Sequence, residues 1–444
     1  MTVATRSRAA KPPSRLRLPE AVSVLAERDF RIIWLGQTVS MVGTWMQFVA
    51  QGLLVLKLWD SAFALGALNF ANATPSLVVL LFGGVVADRA DKRLILLLTQ
   101  TVMLLLAAAI GVLIITDHVQ YWMLIVATIA LGLAFGYDLP AAQALMPELV
   151  PPEKIGQVVA LNSSMFHGTR MVGPALAGIL IGAFGLATAY FLNAASFLAV
   201  ILSLLIIRYR PAAGRAGHGT SAIDGLKAGL RHARGRPNLQ ALLLLTALNC
   251  IFVFPVAAIL VPFYVKNVLR AGPAVLGLMF TAGGLGSMLG ALALIWWSGH
   301  RRVERIWLGF LIAPVGLTIQ ALTREPAVAI IVQGFVSFAF SSQLGLILTM
   351  IQESTPGEFR GRVMSLHGIT FNGTMPLAAI LISAAAVAFG LPAVMVALSA
   401  AFALTGAWTL RFAGGGIARV VRDSHAEYAL IAADAPDSRT EHGG

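Results

Sequence analysis

The sequence predicts an all-α integral membrane protein with twelve membrane-spanning helices in two six-helix repeats. Three observations lead there. The 444-residue chain is 58% hydrophobic and only 12% charged, with a mean hydropathy of +0.81, whereas about a quarter of the residues in a soluble domain carry charge. Its apolar runs recur at the length a bilayer demands, about 20 residues per helix. And a shift of 205 residues lays the second half of the chain over the first.

The runs fall at 32–57, 62–87, 94–116, 120–146, 156–184 and 187–208, then at 238–264, 273–297, 304–323, 326–350, 362–389 and 391–411. Turn residues and charges such as Asp60, Asp117, Pro151–Pro152, Pro273, Pro326 and Pro356 separate them. The expected organisation is therefore an N-terminal segment 1–31, a six-helix half 32–208, a linker 209–237, a second half 238–411 and a polar tail 412–444. The linker contains a helix-like piece around 223–232. The first apolar run is too long for a cleaved signal peptide and reads as a membrane helix.

The net charge of +12 would suggest nucleic acid in a soluble protein, so its placement matters. With both termini in the cytoplasm, 27 of the 32 Lys and Arg fall in cytoplasmic segments; the exceptions are Lys57, Lys266, Arg270, Arg324 and, within a span, Arg170. That asymmetry follows the positive-inside rule and makes a nucleic-acid partner unnecessary. The lone cysteine, Cys250, lies in an apolar run and permits neither an intrachain disulfide nor a thiolate cluster. The chain has no Walker phosphate loop, no H-E-x-x-H and no Cys–His cluster, so neither an ATP-driven pump nor an enzyme, and no cofactor or metal, is expected.

The repeat is strongest where "PELVPPEKIGQVVALNSSMFHGT" (147–169) lies over "QESTPGEFRGRVMSLHGITFNGT" (352–374). Glu148, Pro151, Glu153, Gly156 and Thr169 meet identical residues, and "AFGL" at 183–186 meets "AFGL" at 388–391. Apolar drift does not align Pro, Glu and Gly at a loop, so the halves read as structural repeats of a transporter type.

Polar residues inside the runs need partners. In "GQTVSMVGTWMQFVAQG" (36–52), Gln37, Ser40, Thr44, Gln47 and Gln51 share one helical face. They could line a water-filled cavity or bond to other helices at a dry interface. Thr246, Asn249, Gln333 and Ser337 form similar rows in the second half. Asp138 and Arg170 are ionisable groups at depth, which usually face a cavity or each other. Arg170 could hold an anionic or oxygen-rich solute, Asp138 could carry a proton, or the two could serve structural contacts.

Between spans 2 and 3 stands "GGVVADRADKR" (83–93). It resembles the loop G-x-x-x-D-R-x-G-R-R of the major facilitator superfamily through Gly84, Asp88, Arg89 and Arg93, with Asp91 in place of the second glycine. "GTRMVGPALAGILIG" (168–182), with Gly173, Pro174, Gly178 and Gly182, resembles the glycine–proline motif of the superfamily's antiporters. The wider pattern, from about Asp29 to Phe412, is similar to the branch with the enterobactin exporter and macrolide efflux proteins. The resemblance implies the superfamily fold, a central cavity lined by the first helix of each half, and a cytoplasmic latch at Asp88 and Arg89. It further implies a monomeric multi-pass protein of a bacterial inner membrane whose partners are a small molecule, protons and lipid. Its expected activity is export of a siderophore, macrolide or other amphiphile by multidrug-type antiport. Import or uncoupled facilitation on the same fold, or a membrane enzyme or sensor, are the alternatives.

The charge pattern makes a direct prediction. Fusing green fluorescent protein after Arg411 is expected to give fluorescent cells, and alkaline phosphatase at the same point to be inactive. The opposite pair of results would invert the topology.

Overall fold

The computed structural model describes residues 23–89, 91–209, 222–296 and 302–411, without side chains at 80–89, 222–226, 228, 295–296, 302–303 and 357–358. Twelve long helices are present among the described residues. In the first half they are α1 (Arg28–Leu58), α2 (Ala62–Arg89), α3 (Lys92–Ile115), α4 (Tyr121–Glu148), α5 (Ile155–Phe184) and α6 (Leu186–Ile206). A short helix α7 (Ala222–Arg234) occupies the linker. The second half holds α8, starting as Pro237–Phe252, then α9 (Pro273–Trp296), α10 (Arg302–Leu322), α11 (Pro326–Glu353) and α12 (Gly357–Phe389), and α13 (Leu391–Arg411).

Eleven of the twelve are long and apolar enough to cross a membrane. The exception is α5, which at 30 residues is long enough but is diluted by Asn162, Ser163, Ser164, His167 and Arg170. A helix that polar needs protein or water, not lipid, along one face. Large apolar side chains such as Leu98, Leu105, Ile179, Leu311 and Leu381 are instead exposed on the outside of the bundle, where lipid would cover them.

The seventh span shows how proline shapes a membrane helix. Pro255 and Pro262 lack an N–H, and α8 continues past Phe252 through π-helical turns at Pro255–Ile259 and Tyr264–Val268. There Leu260 N bonds Pro255 O at 2.9 Å and Leu269 N bonds Tyr264 O at 3.0 Å, so the wider turns re-satisfy the backbone.

The repeat is visible in backbone geometry. Pro151, before the short turn that leads into α5, and Pro356, before α12, hold almost the same extended conformation, at ψ 147° in both. Gly185 and Gly390 then end α5 and α12 at φ 85° and 81°, a left-handed turn that only glycine makes cheaply. The four positions are related by the 205-residue shift.

Within the first half, α6 packs on α1 and α3, α4 on α2 and α3, and α5 on α1; within the second, α11 packs on α9 and α10, and α8 on α12. The halves meet through two seams, α5 against α9 and α2 against α12. Small residues make both possible. A Cβ on Gly277 would stand 2.7 Å from Pro174 O and 3.0 Å from Gly178 Cα, and one on Gly284 would stand 2.9 Å from Arg170 O. In the other seam a Cβ on Gly66 would collide with Ser383 and with Ala379 O at 2.8 Å.

These contacts are unevenly placed. All run from the membrane midpoint toward the end opposite the linker, here the far end. At that end α1 also touches α8: a Cβ on Gly52 would meet Pro262 at 2.6 Å, Lys266 Nζ donates to Leu56 O at 2.8 Å, and Asp60 takes Lys266 at 3.1 Å and Asn267 at 3.1 Å. Toward the linker end, Gly156 and Gly168 on α5 and Gly361 and Gly368 on α12 face open space. The halves are joined at the far end and parted at the linker end.

A seam so close cannot take added volume. Gly277→Val is expected to lower thermal stability by about 1–3 kcal/mol, the usual overpacking cost, while Gly182→Val, where nothing lies within 4 Å, is expected to leave the melting temperature nearly unchanged. Equal melting temperatures for the two variants would dissolve the α5–α9 seam as described.

Candidate substrate site

The face of α5 that α9 covers runs through Gly178, Pro174 and Met171. One helical repeat at a time, it continues toward the linker end as His167, Ser164, Ala160 and Gly156, where Ser164, Ala160 and Gly156 are exposed. Pro174 cannot donate to the carbonyl four residues back. That carbonyl, Arg170 O, instead lies against Gly284 of α9, and Thr281 Oγ1 donates to Met171 O at 3.2 Å. The proline therefore frees a backbone carbonyl where the two halves separate.

Arg170 sits at this point. Its guanidinium lies over the Trp45 ring, 5.6 Å from the centroid. Trp45 continues into an edge-to-face chain: Phe48 at 5.8 Å, Phe166 at 6.1 Å, and from Phe48 to Phe280 of α9 at 5.6 Å. His167 stands edge-on to Phe166 at 5.6 Å. Two nitrogens in this cluster, Trp45 Nε1 and His167 Nδ1, are buried without a hydrogen-bond partner. The result is an aromatic wall shared by α1, α5 and α9 around one cation, at the head of the opening.

The stripe on α1 points elsewhere. Gln37, Ser40 and Gln47 are buried, and Gln47 Oε1 accepts from Asn193 Nδ2 of α6 at 2.7 Å. Gln51 donates to Thr128 of α4 at 3.3 Å, and Thr44 to Ser40 O at 2.9 Å. In this conformation Gln47 and Gln51 bond to neighbouring helices and Thr44 to its own backbone, while Trp45 and Phe48 of α1 face α5 and α9. The rows in the second half are likewise buried: Thr246 and Asn249 donate to backbone carbonyls within α8, and Gln333 bridges Ala257 O at 2.8 Å and Gln320 at 2.9 Å. Ser337, also buried, faces Gly283 of α9.

Asp138 and Arg170 are not brought together. Asp138 is buried between α4 and α3, where Oδ1 accepts from Thr99 Oγ1 at 2.7 Å and Gln100 Nε2 at 2.9 Å. Its repeat partner in the second half is Gln343, which is fully buried and donates to Ile306 O at 3.0 Å. The same station thus holds a carboxyl in one half and a neutral amide in the other.

A family profile described as transmembrane secretion effector, a branch of the major facilitator superfamily, matches residues 20–428. The chain belongs to that family. It is a membrane transporter of the superfamily. The multidrug efflux pump Tap of Mycolicibacterium fortuitum is 25% identical, over 82% of this chain and 90% of the relative. Macrolide efflux protein A of Streptococcus pyogenes is 24% identical, over 79% and 88%. The fold matches the crystal structure of a bacterial homologue of the lysosomal transporter Spinster, in an inward-facing and unoccupied conformation, with TM-score 0.70 at 14% identity, covering 89% of this chain and 98% of that one.

Of the superfamily's loop, Gly84, Asp88 and Arg89 lie outside the side chains the structure describes. Arg93 is described: it donates to Leu205 O at 3.3 Å, tying α3 to the end of α6 within one half. Asp91, the departure from the pattern, caps α3 by accepting from Arg93 N at 2.9 Å, work that glycine has no side chain to do. Nearby, Glu148 takes Lys92 at 2.7 Å and the Tyr209 hydroxyl at 2.8 Å. Burial first, then Glu148, push the Tyr209 phenol above its ordinary pKa, so it remains the donor. In the glycine–proline motif, Gly173 abuts Trp45 and Val42 of α1, Gly178 abuts α9, and Gly182 touches neither.

The role of the α1 stripe can be measured. Gln47→Leu is expected to cost about 1–3 kcal/mol by stranding Asn193, with substrate affinity unchanged. A variant of native stability that has lost affinity would put Gln47 in the binding site instead.

Proposed function

We propose that this protein is a proton-coupled exporter of a mid-sized amphiphilic organic molecule in a bacterial inner membrane, with the linker end in the cytoplasm. The observation that carries the reading is the opening at the linker end, headed at the membrane midpoint by an aromatic wall and the largely buried guanidinium of Arg170. An amphiphile entering from the cytoplasm or the inner leaflet would lay its apolar body on Trp45, Phe48, Phe166 and Phe280. The far-end contacts between α1 and α8 would act as the outer gate, and the two seams as the pivot on which the halves rock. The positive charge collected at the linker end supports the orientation. The names of the efflux relatives support the direction.

For coupling, the best-placed group is Asp138. It is a carboxyl inside the membrane that, among the described residues, is held by Thr99 and Gln100 without a cation. Its equivalence to Gln343 supports a station that accepts the neutral form. A proton bound there in one state and released in the other would bias the rocking by its differential affinity. The latch residues of the loop between spans 2 and 3, Asp88 and Arg89, would lock the linker end when it closes.

Two experiments follow. In everted membrane vesicles the protein is expected to accumulate substrate with an imposed inward-acid gradient, and Asp138→Asn to keep exchange but lose accumulation. Accumulation that survives in the variant would remove Asp138 from coupling, and uptake into right-side-out cells would reverse the direction. At the outer gate, Asp60→Asn removes a half-exposed ion pair worth about 0–1 kcal/mol. It is expected to raise labelling of a cysteine at position 48, on the inner side of the gate, by an impermeant thiol reagent added outside by up to about fivefold, the shift such an energy gives; unchanged labelling would show that the pair does not hold the gate.

A further inference from the structure

We infer that the transported molecule is an anion and that Arg170 is the residue that selects it; this rests on the transporter reading of the same site. The first ground is a missing counter-ion. Among the described residues, Arg170 has no carboxylate partner and no hydrogen bond, only the face of Trp45. Every described carboxyl group but one lies in a loop or in the first or last turn of a helix. The exception, Asp138, is bonded to Thr99 and Gln100 on the other side of the half. A cation at membrane depth ordinarily pairs with an acid or lines a water-filled path. Here it sits where the halves part, with no acid among the described side chains to answer it.

The second ground is the set of groups around it. Trp45 Nε1 can only donate, and it is buried without an acceptor beside the guanidinium. His167 Nδ1 is buried and unbonded one turn away. A buried donor without an acceptor is costly to keep, and the indole N–H beside the cation calls for one kind of complement, a compact group with several acceptor oxygens. A carboxylate meets that need, since it can take the planar guanidinium bidentately. The aromatic wall then sets the rest of the molecule: a flat or ring-bearing apolar body within about 6 Å of the charged group, the reach of the ring contacts described here.

A cationic amphiphile would meet the opposite conditions. It would lie against Arg170 in a poorly solvated site with no acid to offset it, and like charges there are strongly disfavoured. The site therefore discriminates by sign of charge before it discriminates by shape.

The test uses one ring with two charges. Binding of 1-naphthoate and of 1-naphthylmethylamine to the full-length protein in nanodiscs is measured by titration calorimetry. The intact protein is expected to prefer the naphthoate by about tenfold or more, as for a charge-assisted pair. Arg170→Lys is expected to keep the sign of the preference, and Arg170→Gln to abolish it while the amine binds as well or better. Equal or tighter binding of the amine to the intact protein would overturn the inference without any variant having to fold. A preference for naphthoate that persists in Arg170→Gln would remove Arg170 as its source. The export reading fails separately: it is decided by the direction of flux in vesicles, whichever probe binds.

Discussion

Hydrocarbon offers a polar group nothing to bond to, and that constraint divides the polar side chains of this protein into two populations. The larger one is spent inside the fold. Gln47 meets Asn193, Gln51 meets Thr128, Gln320 meets Gln333, and Asp138 meets Thr99 and Gln100. These bonds fasten helices of the same half to one another. The smaller population is left over, and it lies along α5: Ser163 and Ser164 bond only to carbonyls of their own helix, His167 keeps an unbonded nitrogen, and Arg170 has only a ring face. Most described side-chain hydrogen bonds between helices thus lie within one half, and the polar side chains along α5 make none across to the other.

The seams follow from the same division. If the halves must move against each other, their contact cannot depend on many hydrogen bonds. It is made instead by glycines and alanines that let backbones touch: Gly178 on Gly277, Gly284 on Arg170 O, Gly66 on Ser383. Dispersion at close range is non-directional and tolerates a change of angle better than a bonded network does. Pro174 adds the local feature that makes the midpoint special, since it frees a carbonyl where the helices diverge.

Much of the fold was legible in the sequence, because span length and turn residues are one-dimensional signals. The starts of the sixth, eighth, tenth and twelfth spans fall within two residues of the helices observed. The repeat around 147–169 and 352–374 was readable because Pro151, Pro356, Gly185 and Gly390 fix backbone angles that few other residues adopt. The seventh span runs on to Val268 because π turns carry it past Pro255 and Pro262, a rearrangement that no apolar run encodes. The site was only half legible. Helical period placed Gln37, Ser40, Thr44, Gln47 and Gln51 on one face but could not say which helix that face meets, because Asn193 is 146 residues away from Gln47. The aromatic wall of Trp45, Phe48, Phe166 and Phe280 looked like ordinary apolar residues. The usable signal was the run of polar residues along α5, Asn162, Ser163, Ser164, His167 and Arg170.

The central claim is that the two halves exchange which end is joined. The direct measurement is a pair of spin–spin distances in one protein lacking Cys250, with labels at 164 and 365 toward the linker end and at 59 and 270 toward the far end. The account predicts two populations at each pair, with the first distance shortening as the second lengthens when the pH is stepped or a substrate is added. A single unchanging distance at both ends, in a preparation shown to transport, would contradict it.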